Sequence, residues 1–82
     1  MVNMKSNCFA CGRRTGKNPA IAICEDEQSV FVGSECYKQI GPDGWQPPLG
    51  GPRLYRGQFA PDGTLIAVIG LSTHPLLGKR IR

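Results

Sequence analysis

The sequence predicts a small α+β domain: a tight cysteine turn, a β-hairpin, one short helix, a Pro/Gly-rich loop and a second β-hairpin. Three observations carry that prediction. The chain has 82 residues, so a single domain with a limited core is expected. Eleven glycines and seven prolines interrupt it often enough that only short elements fit between them. All four cysteines fall within the first 36 residues, and a core this small commonly needs a staple.

Taken in order, residues 1–7 read as a leader. Cys8, Cys11 and Gly12 then form a C-x2-C-G turn, with Gly12 where a left-handed backbone is required. Ala20–Cys24 and Ser29–Val32 are β-prone runs separated by the charged Glu25, Asp26, Glu27 and Gln28, a hairpin pattern with a four-residue connection. Ser34 is a candidate N-cap for a helix over 34–40, with Glu35 favourable in the first turn and Gly41 and Pro42 stopping it. Under two turns long, this helix needs an external hold. Cys36 lies in its first turn, where free N–H groups and the helix dipole favour a thiolate. The loop over 41–52 carries the single tryptophan, Trp45. A second hairpin is expected over 53–71, turning at Ala60, Pro61, Asp62 and Gly63. Residues 72–82 read as a flexible basic tail. The domain thus divides into a zinc module (8–40), a loop, a hairpin and a tail.

No apolar run near the N-terminus suits a signal peptide, and the apolar segment over 65–71 is too short to cross a bilayer. A cytoplasmic setting is therefore expected, where thiols stay reduced and clustered cysteines serve as metal ligands. The expected set is Cys8, Cys11, Cys24 and Cys36 around one structural zinc ion. Two residues between Cys8 and Cys11 let both sulfurs reach one ion. The Cys24–Cys36 spacing is wide, but a hairpin between them can return the chain to the same point. Knuckle, hairpin and helix N-terminus follow the order of a treble-clef finger. An ordinary treble clef takes two ligands from its helix, and only Cys36 is available here. The fourth position therefore lies between Cys24 and His74, the sole histidine.

Chemistry beyond the metal finds little support. Four thiolates would close the zinc shell and leave no site for hydrolysis. A redox dithiol normally opens a helix after a strand, whereas this C-x2-C sits in a Gly/Arg-rich turn. No Ser/His/Asp set, paired carboxylates or phosphate-cradling glycine motif stands out, and one histidine is too few for an HNH-type nuclease. A non-enzymatic domain without a small-molecule substrate is the expectation. The formal charge of +4 invites nucleic acid, but four zinc-bound thiolates would reduce it by two. Protein contact is thus expected ahead of nucleic-acid contact, through Arg13, Arg14, Trp45, Arg53 and Arg56.

The run C-x2-C-G-R, then Asn18 and Pro19, then Val32, Gly33 and Cys36 resembles short zinc-finger-like proteins of tailed bacteriophages, over about the first forty residues. The resemblance implies that Cys8, Cys11 and Cys36 are ligands. It also implies a partner in a host protein complex, with host RNA polymerase and transcription regulation as the first expectation.

Overall fold

The computed structural model describes residues 5–82. Its elements are β1 (Ala20–Cys24), β2 (Ser29–Val32), α1 (Ser34–Gln39), β3 (Leu54–Tyr55), β4 (Gly57–Phe59) and β5 (Leu65–Val68). They form an antiparallel three-stranded sheet in the order β2-β1-β3 and a two-stranded sheet, β4-β5. The first hairpin matches the sequence expectation residue for residue, pairing Ala20 with Val32 and Ile23 with Ser29. Its bend is held by Cys24 N–H donating to the Gln28 carbonyl at 2.8 Å and by Asp26 Oδ1 accepting from Gln28 N–H.

β1 is central in its sheet, and strand alternation sends its side chains into two separate cores. Ala22 and Cys24 pack with Cys8, Ala10, Val30, Val32, Ile40 and Leu54. Ile23 packs on the other side with Tyr55, Leu65 and Val68. The Cys8–Cys11 turn and α1 therefore share one core, and the second hairpin the other.

Three expectations need correction. The helix has Gly33, not Ser34, at its N-cap, and no side chain caps it; Ser34 is the first helical residue. Its C-terminal end is instead held from outside. Arg56 Nε donates to the Ile40 carbonyl at 2.7 Å, Nη2 donates to those of Tyr37 and Lys38 at 3.2 and 3.4 Å, and the guanidinium lies 4.8 Å from the Tyr37 ring centroid.

The expected strand over 53–59 is broken at this same Arg56. Before it, β3 pairs with β1, and Leu54 exchanges both backbone hydrogen bonds with Trp45, at 2.8 and 2.9 Å. After it, β4 pairs with β5, with a register shift between Gln58 and Phe59. The chain thus changes sheets at one residue.

Residues 72–82, expected as a flexible tail, are docked. Gly78 N–H donates to Leu65, Leu65 N–H to Lys79, and Ile81 N–H to Gly63, at 2.8–2.9 Å. Leu76, Leu77 and Ile81 pack against the second core. The glycine and proline that suggested fraying shape turns around these contacts.

Candidate metal centre

The turn over 8–11 is built by its own backbone. Gly12 N–H donates to the Cys8 carbonyl at 2.8 Å and Cys8 N–H to the Arg13 carbonyl at 2.7 Å. Gly12 has φ +79°, a conformation that L side chains rarely adopt. Phe9 N–H donates to Phe31 on β2 at 2.9 Å, which fixes the turn to the first sheet. At the end of β2 the chain passes Gly33 into α1, and Tyr37 N–H closes the first helical turn on the Gly33 carbonyl at 2.9 Å. Cys36, in that turn, is thereby brought to the knuckle.

The sulfurs of Cys8, Cys11 and Cys36 lie within 4.8 Å of one another. Tetrahedral zinc with Zn–S bonds of about 2.3 Å needs S···S separations of about 3.8 Å, so a small contraction brings all three to one ion. Cys8 is buried, while Cys11 and Cys36 are half-exposed. Three clustered thiols in this geometry fit a thiophilic metal ion.

The electrostatics support the same use. Burial pushes the Cys8 thiol up, but backbone N–H groups of Gly33, Cys11 and Ala10 and the Cys36 side chain outweigh it, holding Cys8 below its ordinary value. Burial pushes Cys36 up to about 12, reinforced by its hydrogen bonds to Cys8 and Cys11 and by their charge. Within this pair the negative charge is favoured on Cys8 and the proton on Cys36. Metal binding displaces that proton, because ligating cysteines must be thiolates. The Gly33 contribution was recognisable only as a glycine three residues before Cys36.

Cys24 is not a member of this group, and the four-cysteine set expected from the spacing reduces to three. It is completely buried. Burial, followed by the Asp26 and Glu25 carboxylates, pushes its thiol up to about 12. Cys24 is a neutral core residue at physiological pH. His74, the alternative fourth ligand, is buried with both ring nitrogens engaged. Nδ1 accepts from Leu76 N–H at 3.1 Å, so Nε2 carries the proton and donates to the Cys24 carbonyl at 2.7 Å. His74 anchors the C-terminal segment to β1 and has no nitrogen left for a metal.

A groove of about 500 Å³ opens on the three cysteines, and Arg13, Arg14, Thr15, Glu35 and Leu49 are among the residues that line it. Arg13 and Arg14 are exposed, and Leu49 is 69% exposed. Nothing in the residue pattern pointed to Leu49 beyond its being an apolar side chain within a Pro/Gly loop.

Of the other expected contact residues, Trp45 and Arg56 make internal contacts, whereas Arg53 makes one long, exposed hydrogen bond. Trp45 is half-buried against the first core. Arg53 Nη1 donates to the Asp43 carbonyl at 3.5 Å, and Arg56 caps α1. Three thiolates around one divalent ion would lower the formal charge by one, from +4 to +3. Among the described residues no helix is long and apolar enough to cross a membrane. Compared with known proteins, the chain matches no family model, no curated protein and no solved structure.

Proposed function

We propose that this chain is a non-enzymatic, zinc-stabilised binding domain of treble-clef type, in which Cys8, Cys11 and Cys36 hold one ion and the surface around it meets a protein partner. The observation that carries the reading is the convergence of those three sulfurs, from a turn and a helix 25 residues apart, within 4.8 Å. Around them lie two exposed arginines and an exposed leucine. This mixture of charge and apolar surface suits a protein interface better than a phosphate track. The likeness of the first forty residues to small phage proteins makes bacterial RNA polymerase the first partner to test, in the cytoplasm of a host cell.

The metal is tested by elemental analysis of protein purified under reducing conditions. About one equivalent of zinc is expected, with loss of structure on chelation and in Cys36→Ser; less than half an equivalent overturns the site. The partner is tested by co-elution with purified RNA polymerase at high salt and by the effect on transcription in vitro. Loss of co-elution together with a mobility shift of duplex or single-stranded DNA, steeply weakened by salt, would replace this reading with nucleic-acid binding.

A further inference from the structure

The three-cysteine set leaves a zinc ion one ligand short, because structural zinc is almost always four-coordinate. Among the described residues no further His, Cys, Asp or Glu atom joins the cluster. The two candidates that the residue pattern offered are committed elsewhere: Cys24 is sealed in the core, and His74 uses both nitrogens within the fold. Glu35, the one carboxylate among the residues lining the groove, is exposed, with its carboxylate 4.0 Å from Lys38 Nζ. Cys11 and Cys36 are half-exposed, and all three cysteines line a groove wide enough to admit a side chain. That groove is also lined by Arg13 and Arg14, both exposed.

We infer that the fourth coordination position accepts a cysteine thiolate from a partner polypeptide, so that the zinc ion bridges the two chains. The inference rests on the three-cysteine zinc reading above. Three features select the ligand. A set of three sulfurs is soft and favours a fourth soft donor over a carboxylate. A fourth thiolate completes the all-sulfur shell of an ordinary structural zinc site. It also takes the centre from a net charge of −1 to −2, and the two arginines lining the groove offset the added negative charge. No bond between protein atoms forms or breaks; the incoming thiol loses its proton to solvent as its sulfur binds the metal.

The test uses the full chain loaded with Co²⁺ in place of zinc, since cobalt absorption reports the number and type of donors. Thiolate-to-cobalt charge-transfer bands that are lost in Cys36→Ser establish the site; their absence from the wild-type protein defeats the zinc reading itself. Given those bands, N-acetylcysteine amide, a mimic of cysteine within a chain, is titrated in. The expected result is a saturable shift of the visible bands and added charge-transfer intensity, as three thiolates become four.

The Arg13→Ala, Arg14→Ala double variant should keep the starting spectrum and bind the thiol several-fold more weakly. No shift up to millimolar thiol overturns the inference while leaving the zinc site intact. So does a shift produced only by N-acetylcysteine with its free carboxylate, which would assign the position to a small thiol. A starting spectrum altered by Glu35→Gln, the one carboxylate among the residues lining the groove, also overturns it, because the fourth ligand would then come from this chain.

Discussion

Arg56→Ala tests whether the helix that carries Cys36 is held from outside rather than by its own caps. The 2.7 Å bond from Nε to the Ile40 carbonyl is charge-assisted and part-buried, a class worth about 1.5–3 kcal/mol. The two longer bonds from Nη2 are weaker, about 0.5 kcal/mol together after allowance for solvent. The guanidinium over Tyr37 adds about 0.5 kcal/mol. Truncation is expected to cost about 3 kcal/mol, read as a lower urea midpoint at unchanged slope in the zinc-loaded protein. Because α1 positions Cys36, the same loss should appear in competition with a chelator as zinc affinity weakened by about a hundredfold. Arg56→Lys keeps one donor near those carbonyls and should recover roughly half the stability. A midpoint within about 0.5 kcal/mol of wild type for Arg56→Ala would refute the reasoning, since that is the range of an ordinary surface substitution.

Cys24 supplies a pH signature. Between its ordinary value of 9.0 and about 12 the unfolded chain releases this proton and the folded chain retains it, so stability is full below pH 9 and falls as pH rises. The zinc-loaded wild type should lose up to about 1.4 kcal/mol per pH unit above pH 9 relative to Cys24→Ala; parallel profiles would refute the assignment. His74→Ala removes the buried donor to the Cys24 carbonyl and should cost about 2–4 kcal/mol in urea unfolding, with His74→Gln intermediate; a loss below about 1 kcal/mol would mean that the bond contributes little. Gly63→Ala places a Cβ against the Arg82 carbonyl at a residue with φ +93°. Amide exchange at Ile81, which donates to Gly63 at 2.9 Å, should accelerate by an order of magnitude or more, and unchanged exchange would show that the turn adjusts.

The first hairpin was legible because β-branched and aliphatic runs flank an acidic turn, and those local signals agree with the tertiary result. Cys8, Cys11 and Cys36 were legible for the same reason: a turn spacing and a helix start are local features. Cys24 was misplaced because the hairpin pairs Ala20, not Cys24, with Val32, so Cys24 stands at the bend, at the opposite end of β1 from the point where the chain enters α1. It lies at the end of β1, close in sequence to the charged bend, yet its side chain enters the first core. The break at Arg56 was hidden because Leu54, Tyr55, Gly57 and Phe59 read as one strand, while the pairing that divides them depends on the distant β1 edge. The docked 72–82 segment was hidden by composition. Pro75, Gly78 and the terminal cations resemble a tail, and only Leu76, Leu77 and Ile81 reveal the core they cover.

The bond from His74 to Cys24 joins residues 50 positions apart, and it sets an order of events during synthesis. The three clustered cysteines, the first hairpin and α1 all precede residue 40, so they are made before the segments that complete the second core. At about 5–20 residues per second, His74 is added to the chain roughly 3–10 s after Cys24. Until those later residues dock, the edge of β1 that β3 covers and the face bearing Ile23 stay open. The first core is complete once Leu54 is in place, whereas the second needs Leu65 and the residues from there to Ile81.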